Sequence, residues 1–381
     1  MDKRIALRDF SLLIALVLIC LYFFVRDPRF LSARNLSQLG IELAATAVLS
    51  LGTLLIILPG HIDLSVGSGL GLAGGLAAVL IFRYGWAAPS AMGVTLLLAV
   101  LTYAAMGWII VRQRVPAFII TLGGLLVFKG IHWLVISSET VPVTRGGTEN
   151  LYSVLTTLYL SELWGYVAGF ACIGALGWFM LRGHRRRRER GFETDGEMVF
   201  LRWFVASQIV GLFVLVMNQY KGVPLAALIL GAVAVVVHVL LQQTRLGRYL
   251  YAIGGNEEAA VIAGVPVAKV VIGAFALMGI VVALAGYLQT AFAGATTTTT
   301  GQLMELDAIA ACVIGGTSLK GGHGSVVGVL FGALIMATLL NGMTLLAVSP
   351  EHKYIARGVV LALAVWMDVK LSQQTRMRLA G

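Results

Sequence analysis

The amino-acid sequence predicts an all-α, polytopic transmembrane helix bundle, and three observations predict it. Hydrophobic residues make up 59% of 381 positions and charged residues only 12%, with a mean hydropathy of +0.90. That balance leaves too few charges to solvate the surface of a soluble domain. Apolar stretches close to the ~20 residues that cross a bilayer as helix recur along the whole length. The 45 glycines suit helices that approach one another backbone to backbone. No long polar linker divides the chain, so residues 1–381 are expected to form one membrane domain.

The opening MDKRIALRDF and SLLIALVLICLYFFV combine a basic flank with an apolar run. The next stretch, RDPRFLSARN, is a poor small-residue cleavage site, so a retained first helix is expected. The apolar pattern predicts about twelve crossings, near 10–25, 40–58, 64–82, 89–110, 117–137, 164–181, 200–217, 224–241, 270–290, a short one at 305–316, 326–347 and 354–367. With both termini cytoplasmic, 19 of the 28 Lys and Arg fall in or beside cytoplasmic segments and 7 on the outer side, Lys129 and Arg357 lying within spans. This bias sets the orientation, because basic loops are retained inside. It puts a basic loop at 182–199, containing HRRRRER, and a long segment at 242–269 in the cytoplasm. The net charge of +10 therefore reads as topology and contact with anionic headgroups, not as nucleic-acid binding. Cys20, Cys172 and Cys312 each stand alone in an apolar span, suggesting neither disulfides nor a thiolate metal site.

GHIDLSVGSGLGLAGG at 60–75 starts a helix just after Pro59 and Gly60 have ended another. Asp63 or Ser65 can cap it by accepting orphan backbone N–H groups. Two readings stay open: a capped, closely packed helix, or a broken helix whose polar end lines a solute path, since irregular backbone at membrane depth needs protein or a water-filled cavity beside it. ELDAIAACVIGGTSLKGGHGSVVG at 305–328 repeats the pattern and hints at an internal duplication. Asp307, Lys320 and His323 lie near membrane depth, where ionisable groups are costly and invite a functional reading. A helix cap for Asp307 and the inner interface for Lys320 and His323 are the structural alternatives. Lys129 and His132 share a helix face, which snorkelling to outer headgroups explains. ATTTTTG at 295–301 reads as an outer spacer in preference to a hydroxyl-lined surface.

RLGRYLYAIGGNEEAAVIAG at 245–264 interrupts the apolar pattern. Asn256 suits an N-cap, Glu257 and Glu258 the first turn, where the helix dipole favours negative charge, and Gly264 the left-handed residue that ends the helix. A linker of nearly thirty residues is longer than two neighbouring spans need, and a cytoplasmic partner explains it. The small apolar face of Ala259, Ala260 and Ala263 is expected to be exposed and to enter that partner's groove. GxxxxGK[ST], HExxH and CxxC are absent, and no GxSxG has a suitable context, so no nucleotide site or covalent chemistry is expected and the chain is not read as an enzyme.

In order, IDLSVGS (62–68), VPAFIITLG (115–123), TRLGRYLYAIGGNEEAAVIAGV (244–265) and ELDAIAACVIGGTSLKGGHGSVVG (305–328) resemble the permease subunits of bacterial ABC sugar importers of the ribose and xylose type. The resemblance runs from about residue 30 to 370. The additional helix pair and basic loop between about 150 and 222, with YKGVP at 220–224, fit the xylose branch best. The resemblance implies a permease homodimer in the bacterial inner membrane, a separate cytoplasmic ATPase that binds the ATP and Mg, and an external sugar-binding protein. It implies import of D-xylose, or alternatively ribose or another small sugar, by alternating access. It also assigns ATPase coupling to the segment holding Arg245, Gly247, Arg248, Gly254 and Asn256, followed by Glu257, Glu258, Ala259, Ala260 and Gly264. Translocation-path candidates in the matching motifs are Asp63, Ser65, Ser68, Thr121, Asp307, Thr317 and Ser318. An ion-coupled secondary transporter is the competing class; it would need paired intramembrane acids and bases, and Asp63, Asp307, Lys129 and Arg357 are well separated in sequence. A cysteine replacing Arg187 should react only with reagents that reach the cytoplasm, and one replacing Thr148 only with reagents outside; reaction of both from one side would remove the helix pair between them.

Overall fold

A computed structural model describes residues 3–189, 191 and 195–379, with side chains described from residue 12 to 369 apart from 187, 190, 192–194, 367 and 368. Part of the expected basic loop 182–199 thus lies outside the described residues, as do Met1, Asp2, Ala380 and Gly381. Helices carry the fold: α1 (Lys3–Arg26), α2 (Ala33–Ile57), α3 (Val66–Phe82), α4 (Ala88–Gln113), α5 (Ala117–Ile136), α6 (Leu151–Thr157), α7 (Glu162–Glu189) and α8 (Gly196–Asn218). They continue as α9 (Leu225–Gln243), α10 (Arg245–Gly255), α11 (Glu257–Ile262), α12 (Val267–Ala293), α13 (Met304–Ile314), α14 (Val326–Leu345) and α15 (Pro350–Leu379). Two short strands, β1 (Val141–Pro142) and β2 (Ala295–Thr296), pair antiparallel, Val141 opposite Thr296.

Among the described residues, eight helices are long and apolar enough to cross a membrane: α2, α4, α5, α7, α8, α9, α12 and α14. The other four stretches expected to cross fall on helices of different character. The apolar part of α1, Leu12–Arg26, and α3 are shorter, α13 has 11 residues, and α15 carries Glu351, Lys353 and Arg357 near its start. Each of α3 and α13 is shortened by a break beside it, at Pro59–Gly60 before α3 and in the glycine-rich 315–324 after α13.

The centre of the bundle is α2, of whose span 89% is buried, whereas 6% of α8 is. Its Leu49, Leu54, Ile56 and Ile57 pack with Phe275, Met278 and Val282 of α12 in the main core. Buried hydroxyls tie neighbouring helices: Thr95 of α4 and Tyr287 of α12 are 2.7 Å apart, and the Tyr152 hydroxyl of α6 donates to the Gly74 carbonyl at 2.9 Å. Such groups persist in an apolar interior because each finds a partner.

Charge is treated in the same way. Asp307 does not cap α13; the N-cap is Leu303, with no side-chain cap bond. Its carboxylate instead lies 3.1 Å from Nε of Arg357 on α15, with the two side chains 3% and 20% exposed. Two residues well separated in sequence thus form a buried acid–base pair. Removing one partner of a buried pair costs about 3–5 kcal/mol because the other charge is stranded, whereas replacing both by apolar residues is often tolerated. Asp307→Asn should therefore lower the thermal unfolding midpoint and membrane yield sharply, and Asp307→Leu with Arg357→Met should recover most of the loss; equal damage in both would show that the pair is not what anchors α15.

Candidate functional site

Two helical segments are interrupted close to one another. Pro59 and Gly60 end α2, and the chain runs irregularly to Ser65 before α3 begins; α13 stops at Ile314, and α14 restarts after Ser325, whose hydroxyl accepts from Gly328 N at 3.1 Å. The breaks free backbone groups from the helical ladder. They satisfy each other: Gly322 N donates to the Leu58 carbonyl at 2.9 Å, and Ser318 N to the His323 carbonyl at 2.9 Å. The helix α10 arrives at the same point. Its Tyr251 hydroxyl donates to the Gly324 carbonyl at 2.9 Å, and Gly254 lies so close to the Leu58 carbonyl and Gly322 N that a side chain there would collide with both.

At this junction the capping expectations for the 245–264 stretch are met. Asn256 Oδ1 accepts from Ala259 N at 2.9 Å, Glu257 and Glu258 occupy the exposed first turn of α11, and Gly264 has φ +78. Thr244 caps α10 by accepting from Gly247 N, and Gly247 is buried against the end of α9, with Arg245 and Arg248 exposed. Of the expected face of α11, Ala259 and Ala263 are exposed, but Ala260 is not. Ala260 is only 4% exposed and sits in the main core, whereas Val261 and Ile262 are 57% and 88% exposed and, with Asn256, Glu257 and Glu258, line a shallow cleft. Alanine permits close approach to either the body or a partner; here it lets α11 seat on the bundle.

A second feature lies between α3, α5 and the segment before α13. A cavity of about 190 Å³ is lined by Ser68, Leu125, Lys129, His132, Thr298, Thr300, Gly301, Gln302, Leu303 and Glu305. Its threonine wall is ordered, which overturns the spacer reading. Thr296 is buried and lies 2.9 Å from His132 Nε2, Trp133 Nε1 donates to the Thr298 carbonyl at 3.0 Å, and Thr297 N donates to Thr300 Oγ1 at 2.9 Å. His132 is 2% exposed, so it hooks the threonine segment inside the protein instead of snorkelling to headgroups. Lys129 lines the cavity with its ammonium 5.4 Å from the Trp133 ring centroid.

Of the seven path candidates, Ser68 lines this cavity. Asp63, Ser65 and Thr121 are buried and hold the broken turn: Asp63 accepts from Ser65 N at 2.8 Å and from its hydroxyl at 2.6 Å, and Thr121 Oγ1 donates to the Ile62 carbonyl at 3.2 Å. Ser65 occupies the N-cap position of α3 without a side-chain cap bond, so Asp63 closes the turn ahead of the helix and neither side chain caps it. Thr317 and Ser318 sit at the junction, and Asp307 faces Arg357. Sequence reasoning missed Gln302, Glu305, Thr298 and Thr300 as lining residues; the available signal was a short polar insert, TTTTTGQLMEL, between two apolar helices.

The family described as "Branched-chain amino acid transport system / permease component" matches residues 35–365. The chain belongs to this family. As a permease it is 39% identical over 368 residues to the xylose transport system permease protein XylH of Escherichia coli (strain K12), covering 96% of this chain and 93% of that one. Against the Haemophilus influenzae XylH the identity is 38% over 370 residues, covering 96% and 97%. Against the ribose import permease protein RbsC of Escherichia coli (strain K12) it is 34% over 358 residues, covering 94% and 92%. No solved structure matches significantly.

The cavity wall depends on one close approach. A Cβ at Gly67 would lie 2.6 Å from the Gly301 carbonyl and would collide with the Glu305 carboxylate. Gly67→Val should push residues 301–305 outward, raising the labelling rate of a cysteine placed at Gln302 several-fold by a water-soluble maleimide. An unchanged rate would show that α3 does not hold this wall.

Proposed function

We propose that this permease is the membrane-spanning subunit of an ATP-binding-cassette importer that carries a monosaccharide, D-xylose first, across a bacterial inner membrane. The xylose and ribose systems named for its relatives support the solute class, and the higher identity to the xylose permeases favours xylose over ribose. In this reading α1, α3, α13 and α15 complete twelve crossings with both termini cytoplasmic. The permease works as a homodimer, and an external sugar-binding protein delivers to the face opposite α10 and α11. A separate ATPase, holding ATP and Mg, docks on the exposed edge of α11. The chain itself hydrolyses nothing.

The observation that carries the proposal is the shared junction. Because α10 touches the loops of both broken helices through Gly254 and Tyr251, displacement of α11 by the ATPase reaches α3 and α13 together. Those helices contribute Ser68 and Glu305 to the cavity. A neutral sugar needs donors and acceptors with little net charge, and Ser68, Thr298, Thr300 and Gln302, with Lys129 and Glu305 of opposite sign, supply that chemistry. Alternating access then opens the cavity to one face at a time.

The test is reconstitution. Vesicles with permease, ATPase and binding protein should take up xylose only with ATP, and a protonophore should not affect uptake while ATP is held constant. The permease alone should not hydrolyse ATP. Uptake abolished by the protonophore would establish ion coupling instead. Within this system, Ile262→Glu changes an exposed site, where substitutions usually cost within about 0.5 kcal/mol, so it should leave folding intact and abolish ATPase association. Gly254→Val should keep ATPase association but reduce uptake on the order of tenfold, within the usual range of coupling between sites. Ala260→Arg should destabilise the permease itself. Normal uptake by both Ile262→Glu and Gly254→Val would make α10 and α11 a connector only.

A further inference from the structure

Helices α7 and α8 form an antiparallel pair at the periphery, with 11% and 6% of their spans buried. Gly165, Gly169 and Gly177 of α7 face Asn218, Val214 and Trp203 of α8 in turn. At one end Val214 and Met217 pack with Leu36 of α2 and Leu228 of α9. The start of α7 is tied there to the start of α9, since Leu160 N donates to the Val223 carbonyl and Leu225 N to the Leu158 carbonyl. Both helices therefore run from that end toward the end carrying α10 and α11.

A cavity of about 520 Å³ lies between the two helices, with Gly174, Trp178, Leu181, Phe200 and Trp203 among its apolar lining. Gly174 leaves it empty: a Cβ at that position would meet nothing within 4 Å. Its polar member is His184, whose Nδ1 is buried without a hydrogen-bond partner. Cations crown the cavity. The Arg182 guanidinium lies 4.8 Å from the Trp178 ring centroid, and Arg185, Arg186 and Arg188 are exposed on the following turns. The described acids nearby are Glu189, Asp195 and Glu197, and the Asp195 carboxylate is engaged in capping α8 by accepting from Glu197 N and Met198 N.

We propose that this is a site for one anionic phospholipid, its acyl chain between α7 and α8 and its phosphate on His184, Arg185 and Arg188, which follow Leu181 on the cavity side of α7. An apolar slot between membrane helices, edged by tryptophans and crowned by arginines, matches such a lipid in shape, depth and charge. Arginine suits the phosphate because its planar fork donates two parallel hydrogen bonds. The chain would fill the gap that Gly174 leaves beside Trp203, whose Nε1 donates to the Ile173 carbonyl at 3.1 Å.

Native mass spectrometry of the purified permease tests this with phosphatidylglycerol and phosphatidylcholine of identical chains. The unaltered protein should retain one phosphatidylglycerol in preference to phosphatidylcholine; equal retention overturns the proposal. Arg185→Gln with Arg188→Gln should reduce phosphatidylglycerol retention several-fold and erase the preference. Gly174→Phe should fill the slot and also reduce retention, with helix content and thermal midpoint unchanged in both variants. Phosphatidylglycerol retained at full level by Gly174→Phe would mean headgroup adsorption only and would overturn the site between the helices. If either variant fails to fold, a phosphatidylglycerol with brominated chains decides on the unaltered protein: it should quench tryptophan fluorescence more than brominated phosphatidylcholine at equal concentration, and equal quenching refutes the site.

Discussion

Backbone amides and carbonyls that leave a helix within a packed bundle must find partners in the protein, and the organisation of this permease follows from how that demand is met. The Gly322 amide on the Leu58 carbonyl joins the two places where the helical ladder stops. The bond requires the loops to touch, and glycine permits it: Gly321 and Gly322 have φ of +87 and +74, and Gly254 of α10 approaches without a side chain in the way. Three segments distant in sequence are thereby held at one point. α2, the most buried span, ends there, so the junction rests on the centre of the bundle.

From that point the two short helices lead to the polar cavity. The first turn of α3 supplies Ser68, and the first turn of α13 supplies Glu305. A full-length span would separate these events by the thickness of the bilayer, about 30 Å; an 11-residue helix such as α13 spans roughly 16 Å at 1.5 Å per residue. Shortness is therefore functional in geometry as well as in hydropathy. It brings the cavity-lining residues close to the junction with α10, and His132 holds the threonine wall from α5.

The legible parts of the sequence were those governed by local rules. Asn256 and Gly264 announce a helix start and stop through cap chemistry, and Pro59–Gly60 and the glycines after Ile314 announce breaks, because these effects act within a turn of the chain. The illegible parts were settled by partners far away. Nothing around Asp307 indicates that Arg357, fifty residues later, will face it, and nothing around His132 indicates Thr296. Ala260 illustrates a different limit: in a six-residue helix rich in small residues, the buried face depends on how the whole helix seats, and larger Val261 and Ile262 ended outside. The threonine run misled because low complexity is a compositional property, whereas order in it comes from the hydrogen bonds each hydroxyl makes.

The Asp307–Arg357 pair has an electrical consequence. A lone charge displaced across a membrane exchanges about 2.3 kcal/mol with each 100 mV of potential, enough to bias a conformational change by itself. Acid and base here sit 3.1 Å apart on α13 and α15, so when the two helices shift together the pair itself contributes almost no gating charge. The resting voltage of the cell therefore does almost no work on the pair, which meets the membrane field as a neutral unit although each member alone would feel it.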